Sequence, residues 1–325
     1  MRQNVLFLPH PMPELAGDWQ SRLLAALAHH DLRIYDESQS MDPQFEGVSV
    51  VVDHGGSAAT RPLMDAGARA RVKLWQILGT GFDHFDLAYI KSLGVPVSNC
   101  PGQFSSVALA QSAMMFILML AHRFQEARSG FDRGELYRFT GRDLDGLVLG
   151  IIGFGASGQD LARRARGFGM KIHAIDVVDI APEVLEELAP DFMGTPEDLD
   201  KVVAESDFIS LHLHLNEETR HTIDRRLMEL MKPTACLINV ARGALIDEDT
   251  LAEFILEGRI GGAGIDVFEQ EPPDVTRPEY KQDNMVVMPH TAGSTDGTAR
   301  KRAACAARNV DLIAAGKEPL YRIDL

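Results

Sequence analysis

Cysteine is scarce in this sequence of 325 residues. The three cysteines, Cys100, Cys236 and Cys305, are odd in number and share no metal-ligand spacing. Such a set favours reduced thiols over a disulfide framework. We therefore expect no metal centre, and we expect an intracellular, cytoplasmic protein.

Long apolar segments and an excess of positive charge are also missing. The N-terminal stretch MRQNVLFLPHPMPE is apolar for only four residues before Pro9, which is short for a signal peptide, and no run reaches the roughly 20 residues of a membrane span. The 32 Lys and Arg residues stand against 47 Asp and Glu residues, a net charge of -15 that repels a phosphate backbone. Neither a membrane nor nucleic acid is an expected partner.

The composition suits two α/β domains. Hydrophobic residues make up 45% of the chain, and a domain typically contains about 150 residues. In the N-terminal third, short apolar runs alternate with helical patterns such as residues 19–30, which indicates a parallel, doubly wound sheet. We predict its strands at residues 5–8, 32–35, 48–52, 73–78 and 95–98.

A second series of strands follows a long apolar segment. Residues 105–124 contain neither glycine nor proline, which is typical of a buried helix, and their length suits a connector between two lobes. The next segments have the strand count of a dinucleotide-binding domain. We predict these strands at residues 148–153, 171–175, 208–213, 235–240, 264–267 and 285–288, and a last helix at 294–310 that returns to the first lobe.

Two glycine-containing turns raise the question of where a nucleotide binds. QILGTGFDHFD has two glycines but carries His84 where the dinucleotide fingerprint needs a third. GIIGFGASGQD has all three, between an apolar strand and a helical pattern. Backbone amides at that helix N-terminus suit a pyrophosphate. The predicted nucleotide-binding residues in this second turn are Gly153, Gly155, Ala156, Ser157 and Gly158.

Asp176 supports this interpretation, because it ends the next predicted strand, eighteen residues after Gly158. A carboxylate at that position can accept hydrogen bonds from both ribose hydroxyls and would repel a 2'-phosphate. No Arg or Lys follows within DVVDIAPE, so the sequence favours NAD over NADP. The alternative is that the glycines only form a tight turn and that Asp176 caps a strand.

Three polar residues each follow a predicted strand in the C-terminal half. Arg242 lies in LINVARGALIDEDTL, Glu271 in GIDVFEQEPP and His290 in VVMPHTAGST. Singly, each is compatible with an ordinary surface or hydrogen-bonding role. Because the strand ends of a doubly wound sheet face the ligand crevice, the three together predict a catalytic site.

At this point the sequence resembles a known family. GFGASG with Asp176, LINVARGALIDEDTL, GRIGGAGIDVFEQEPP and MPHTAGST are similar to the motifs of the D-isomer-specific 2-hydroxyacid dehydrogenases, as are ILGTGFDHFDL and GVPVSNCPG in the first lobe. The resemblance implies two doubly wound parallel-sheet lobes: a flavodoxin-like substrate domain formed by residues 1–103 and 295–325, and a Rossmann NAD-binding domain at 104–294. It also implies a homodimer formed mainly through the NAD lobe.

The resemblance implies further binding residues. The turn of Gly79, Thr80 and Gly81 would bind the substrate carboxylate rather than the nucleotide, because the amides of a glycine-rich turn can form an anion nest. An ordinary strand-to-helix turn is the alternative. Asp266 would lie near the nicotinamide carboxamide, or would simply end a strand with hydrogen bonds. The remaining implied cofactor contacts are Val240, Ala241 and Gly293.

The implied reaction is hydride transfer between NADH and a 2-oxo acid, with a D-2-hydroxy acid as the reduced partner. Arg242 offers a planar fork that can clasp a carboxylate and polarise a carbonyl group. His290 can give and take a proton near neutrality. Glu271 would fix its tautomer and favour its charged form.

Three positions depart from the pattern of the family. Gln111 and Ser112 stand where many members carry an acid and a histidine, and His214 stands where proline is common. These departures concern lobe packing and oligomer contacts more than the proposed chemistry.

The substrate side chain is expected to border the loop at residues 53–62. The start of this loop lacks the Arg that a phosphoglycerate-oxidising member would need, so a phosphorylated substrate is disfavoured, while Arg61 leaves the question open. Trp75 and Phe104 can line an apolar pocket, although core packing is the simpler interpretation.

A second class of function stays open. Some relatives of this fold act as corepressors, so a non-enzymatic NAD-sensing scaffold is the alternative. The complete set of Arg242, Glu271 and His290 favours the enzyme.

Overall fold

The computed structural model describes residues 2–10, 17–54 and 59–325, and the chain divides into two compact units. Unit 1 comprises Met1–Phe104 and Ser294–Leu325, and unit 2 comprises Ser105–Gly293. Unit 2 therefore begins one residue after, and ends one residue before, the limits of 104–294 predicted for the NAD-binding domain.

Unit 1 is a parallel α/β layer structure. Its elements are β1 (Asn4–Leu8), α1 (Gly17–Ala26), β2 (Asp31–Ile34), α2 (Met41–Phe45), β3 (Val50–Asp53), α3 (Arg61–Arg69), β4 (Leu74–Ile77), α4 (Leu87–Ser92), β5 (Val97–Ser98) and the last helix of the chain, α12 (Asp296–Ala314). The strands pair in the order β2-β1-β3-β4-β5, all parallel. This is the flavodoxin-like order.

Unit 2 is a larger α/β structure. Its elements are α5 (Ser106–Ala121), α6 (Phe124–Asp132), β6 (Val148–Ile152), α7 (Ala156–Arg166), β7 (Lys171–Ile175), α8 (Pro182–Leu188), β8 (Phe192–Gly194), α9 (Leu199–Glu205), β9 (Phe208–Leu211), α10 (Arg225–Leu230), β10 (Cys236–Asn239), α11 (Glu248–Leu256), β11 (Gly262–Ile265) and β12 (Met285–Val287). The order β12-β11-β10-β9-β6-β7-β8 is the Rossmann order with one added strand, and its switch point lies between β6 and β9.

Two predictions for unit 2 were wrong. The sheet has seven strands rather than six: β8 was missed because it is a half-buried edge strand of three residues that contains a glycine. The buried helix predicted at 105–124 is present as α5, but it does not connect the two lobes. The helix ends at Ala121 and packs within unit 2 against α7, β10 and β11, because residues such as Phe116 and Ile117 are fully buried there.

The C-terminal helix belongs to unit 1, as predicted. It packs against α1 and β4, and its buried Asn309 fixes the register of this contact. The Asn309 side-chain amide donates to Gln76 Oε1 at 2.6 Å, and its Oδ1 accepts from the Leu320 amide at 2.8 Å. A buried polar group requires such partners.

By length and apolar composition, no single helix in residues 2–10, 17–54 and 59–325 qualifies as a membrane span, whereas α5 and α6 taken together do so across a bend of 56°.

Candidate active site

The glycine turn joins β6 to α7 at the switch point of unit 2. Gly153 has φ +94°, and a Cβ there would lie 2.7 Å from the His212 carbonyl oxygen. A Cβ on Gly158 would lie 2.2 Å from the Gly153 carbonyl oxygen. Both positions therefore require glycine, because the turn folds tightly against the helix and the neighbouring strand.

The outer side of the same turn is open. A Cβ on Gly155 would meet nothing within 4 Å among the described residues, and Gly155 and Ala156 are exposed where α7 begins. A helix N-terminus with an exposed glycine in front of it leaves backbone amides and space for an anion. The turn therefore fits the pyrophosphate of a dinucleotide.

Asp176 lies at the end of β7, next to the glycine turn. One carboxylate oxygen accepts a hydrogen bond from the Phe154 amide at 2.6 Å, and the other accepts from the Val178 amide at 3.1 Å. The carboxylate is half-buried, and each oxygen can accept a further hydrogen bond. This placement fits a ribose, while the contact with Phe154 also holds the turn against β7.

Arg242 follows β10 on a loop with little freedom. The buried Asn239 side chain donates to the Arg242 carbonyl at 2.8 Å and accepts from the Ala241 amide at 3.0 Å. A Cβ on Gly243 would lie 1.8 Å from the Phe268 carbonyl carbon, so only glycine permits this close approach. The guanidinium is half-buried and donates to the Ala241 carbonyl at 2.9 Å.

His290 and Glu271 form a hydrogen-bonded pair in unit 2. The His290 Nδ1 to Glu271 Oε2 distance is 2.7 Å, with 48% and 38% of the two side chains exposed. The other Glu271 oxygen accepts from the Phe268 amide at 3.1 Å. Burial raises the pKa of Glu271, but the hydrogen bond and charge of His290 and the charge of Arg242 outweigh it, and the pKa lies below its usual value.

Asp266 fixes the loop that carries His290. Its two carboxylate oxygens accept from the Thr291 amide at 2.7 Å and the Ala292 amide at 2.9 Å, and its carbonyl accepts from the His290 amide at 2.7 Å. These contacts hold His290 in the left-handed conformation, φ +55°. Burial raises the pKa of Asp266. The role of Asp266 at the nicotinamide stays a prediction.

The other implied cofactor residues lie on the same loops. Val240 is buried and Ala241 is half-buried beyond β10. Gly293 follows Ala292, and a Cβ added to Gly293 would make only ordinary contacts with Leu109 and Ser105.

The turn of Gly79, Thr80 and Gly81 lies beyond β4 in unit 1 and is half-buried. The Gly79 carbonyl accepts from the Cys100 amide at 3.2 Å, and the Thr80 carbonyl accepts from the Asn99 side chain at 2.8 Å. Because these hydrogen bonds hold both carbonyl groups, the turn has a defined conformation. An anion nest requires such a conformation.

The departures from the family have local roles. Ser112 Oγ donates to the Ala292 carbonyl at 3.1 Å, so it supports the loop that follows His290. Gln111 is exposed on α5, and the carbonyl of the exposed His214 accepts from Thr219.

The residues considered for the substrate side chain have other contacts. Trp75 is a core residue, fully buried, whose indole donates to Asp53 at 3.1 Å. Phe104 packs edge-on against the Tyr321 ring. Arg61 forms an ion pair with Asp86 at 2.7 Å. Residues 55–58 of the loop at 53–62 lie outside the described residues.

Sequence reasoning missed two polar contributions to these loops. Asn239, which orders the Arg242 loop, is a buried polar residue at the end of an apolar strand, a signal that was present in LINVARG. His212, which contacts Ser157 of the glycine turn, gave no usable signal, because the two residues are 55 positions apart.

A Rossmann domain whose strand ends carry a fitted dinucleotide turn and an acid-histidine pair is typical of a nicotinamide-dependent dehydrogenase. Residues 114–292, more than half of the chain, match the family model described as D-isomer specific 2-hydroxyacid dehydrogenase, NAD binding domain. The chain belongs to this family. It binds NAD and interconverts 2-oxo and 2-hydroxy acids.

Curated relatives and solved structures agree. The glyoxylate reductase of Thermococcus onnurineus is 37% identical over 261 residues, 78% of this chain and 76% of the relative. The hydroxypyruvate reductase of Thermotoga maritima is 37% identical over 270 residues, which cover 82% of this chain and 84% of the relative. The D-lactate dehydrogenase of Aquifex aeolicus, solved with NAD and lactic acid, superposes with a TM-score of 0.80 at 28% identity over 96% of each chain. All three are named as enzymes, which favours an enzyme over a non-enzymatic scaffold.

Proposed function

We propose that this protein reduces small, unphosphorylated 2-oxo acids with NADH, and that Arg242, Glu271 and His290 carry out the chemistry. The observation that carries the proposal is the 2.7 Å contact between His290 Nδ1 and Glu271 Oε2, at the strand ends of the NAD-binding unit. A histidine oriented by a carboxylate is a typical general acid and base.

Gly153, Gly155, Gly158 and Asp176 would hold NADH, which would supply the hydride for C2 of the substrate. His290 supplies the proton for the carbonyl oxygen, and since its Nδ1 is held by Glu271, the proton is exchanged at Nε2. Glu271 stabilises the charged imidazolium before transfer and keeps the ring in position afterwards.

Arg242 polarises the substrate carbonyl. Its guanidinium has five donors in a fixed plane, so it can bind a carboxylate and an adjacent carbonyl oxygen together. Its charge lowers the pKa of Glu271, which supports a position near the acid-histidine pair. We assign carboxylate binding also to the amides of Gly79, Thr80 and Gly81.

The substrate class follows from charge and from the relatives. Relatives named glyoxylate reductase and hydroxypyruvate reductase support a small 2-oxo acid. The one arginine that left a phosphorylated substrate open, Arg61, is paired with Asp86 and stacks 4.6 Å above the Tyr89 ring. We therefore propose an unphosphorylated substrate, and NAD rather than NADP because of Asp176.

Three buried free thiols support a reducing, cytoplasmic location.

We also propose a homodimer formed through unit 2. Phe124 and Phe131 on α6, and Leu136 and Tyr137 after it, are exposed apolar side chains close together in sequence. A cluster of this kind typically marks an interface. Light scattering at micromolar concentration should give twice the mass of 35.7 kDa, and a monomer would contradict the proposal.

A substrate panel tests the enzymatic proposal. NADH oxidation is followed at 340 nm with glyoxylate, hydroxypyruvate, pyruvate and phosphohydroxypyruvate, and we expect the highest kcat/KM among the unphosphorylated acids. Arg242→Ala tests the assignment of Arg242 separately: it should raise the KM for the 2-oxo acid far more than the Kd for NADH. Preference for the phosphorylated acid, or a loss of NADH binding at constant KM, would overturn the corresponding assignment.

A further inference from the structure

A chain of hydrogen bonds links strand β9 to the glycine turn. Ser210 Oγ lies 2.9 Å from His212 Nε2, and His212 Nδ1 lies 2.9 Å from Ser157 Oγ. Ser157 lies in the first turn of α7, directly before Gly158 of the glycine turn.

The sheet explains why these residues meet. Side chains two apart on a strand point to the same face, so Ser210 and His212 share the face of Phe208, which packs in the core formed with α5 and α7. The His212 amide donates to the Ile152 carbonyl at 2.8 Å, which continues the pairing of β9 with β6 beyond the strand end. His212 therefore lies at the switch point, next to the start of α7.

The order of protons in this chain can be worked out. Burial lowers the pKa of His212 to about 4, so at neutral pH the ring carries one N–H. Among the described residues, His212 is the only hydrogen-bond partner of the buried Ser210 hydroxyl. Ser210 must therefore donate to Nε2, because accepting would leave its own proton without a partner. The remaining N–H, on Nδ1, donates to Ser157 Oγ.

We infer that His212, held by Ser210 as the Nδ1–H tautomer, is a positioning residue that turns the Ser157 hydroxyl proton outward as a donor for the phosphate oxygens of the dinucleotide. The opposite tautomer would accept the Ser157 proton and present oxygen lone pairs to an anion. The inference rests on the proposed binding of NAD at the glycine turn and adds a side-chain donor to the backbone amides there.

Calorimetric titration with NADH and with ADP-ribose tests the inference. A hydrogen bond to a charged group corresponds to roughly 10-fold or more in affinity, so Ser157→Ala and His212→Leu should each weaken binding of both ligands by about that factor. Because the two residues act through one donor, the double variant should be no weaker than Ser157→Ala alone. His212→Asn, which keeps an N–H near the position of Nδ1, should recover most of the affinity.

A purely structural role of His212 predicts different results. If Ser157→Ala binds NADH as the wild type does, or if the two single effects add, the inference is wrong. Ser210→Ala, which leaves His212 and Ser157 in place, should weaken binding severalfold by releasing the tautomer, and it serves as the second variant if His212→Leu does not fold.

The tautomer has a direct readout that needs no ligand. Nitrogen-15 spectra of the protein without nucleotide, assigned by comparison with His212→Asn, should show protonation at Nδ1 and not at Nε2 of His212. Protonation at Nε2 would overturn the inference.

Asp176→Ala distinguishes a failure of the His212–Ser157 relay from a failure of the proposed NAD site. If it weakens NADH binding while Ser157→Ala does not, the relay is wrong and the nucleotide site stands; if neither has an effect, NAD does not bind at this turn, and the inference falls with it.

Discussion

At the residue scale, the proposed proton donor His290 is held by contacts within unit 2. Asp266 fixes the backbone of its loop and Glu271 fixes its ring. Because these contacts fix both the loop and the ring, little reorganisation is needed before the proposed proton transfer, which favours acid-base catalysis.

Replacement of His290 by alanine should remove the proton donor and leave the nucleotide site intact. We expect kcat for reduction to fall by about 10² to 10⁴, with the Kd for NADH changed less than twofold. Stopped-flow and fluorescence titrations measure the two quantities. Undiminished kcat in His290→Ala would remove the histidine from the mechanism.

Glu271→Gln should leave a slower enzyme. The Glu271 carboxylate can only accept a hydrogen bond, so it keeps the proton on Nδ1 of His290 and fixes the ring. A glutamine amide can present either its oxygen or its NH2 group to Nδ1, so the ring is no longer held in one orientation. We expect kcat to fall by more than about 10-fold, with the Kd for NADH unchanged. A kcat equal to that of the wild type would mean that Glu271 does not position His290.

Asp176→Ala should narrow the preference for NADH over NADPH. The carboxylate disfavours a 2'-phosphate near the ribose site, so its removal relieves repulsion for NADPH while it costs NADH a hydrogen bond. The ratio of the two kcat/KM values measures the effect. A wild-type enzyme that prefers NADPH would contradict the assignment of Asp176.

At the scale of elements, the turn between β6 and α7 contains glycines that are needed for different reasons. A Cβ on Gly158 would collide with the backbone of Gly153, whereas one on Gly155 would meet open space. Gly158→Ala should therefore lower both the Tm and the affinity for NADH, because the turn itself must deform. Gly155→Ala, the matched control, should leave the Tm within about 1 °C and weaken NADH binding alone. An NADH affinity that Gly155→Ala leaves unchanged would show that the space outside Gly155 is not a ligand site.

The strand that sequence reasoning predicted best is β7, whose predicted bounds are those found. Its apolar residues Ile172, Ala174 and Ile175 lie between a glycine, Gly169, and an acid, Asp176, which limit the strand on both sides. β8 escaped prediction because an edge strand of three residues carries no periodic signal.

The contacts of the candidate site divide in the same way. The contact between Glu271 and His290 was predictable because both residues follow strands of one sheet, and the ends of those strands share an edge. The contacts of Asp266 with the loop amides and of His212 with Ser157 were not, since they depend on which loops meet in space. Periodicity gives the order of elements along the chain but not these distances.

At the scale of the whole molecule, several histidines make stability depend on pH. Burial lowers the pKa of His54 and of His212 to about 4, and also lowers the pKa of His30 and His173. The unfolded chain therefore binds more protons than the folded one between about pH 6.5 and pH 4, so stability falls as pH falls through that window. Asp266 has the opposite effect, because its pKa is raised in the folded protein, but it is one group against four histidines.

Urea unfolding between pH 7 and pH 5 measures this dependence. A group such as His54 should contribute a loss of about 2 kcal/mol across the window. His54→Asn should flatten the slope of unfolding free energy against pH, whatever its effect on stability at pH 7. Gln111→Asn, which changes an exposed side chain without a titratable group, is the control and should leave the slope unchanged. A slope that His54→Asn does not alter would show that this ring stays neutral in both states.

The late return of α12 to unit 1 has a consequence for synthesis on the ribosome. The helix covers the sheet face formed by Val5, Phe7, Val50 and Val52, yet it follows Phe104 by roughly 190 residues, which take about 10 to 40 s to translate. Unit 2 is contiguous and can complete its core first. During that interval the nascent first sheet keeps one apolar face uncovered, so a chaperone that binds exposed apolar surface should associate with ribosomes stalled before residue 296 and leave once α12 has emerged.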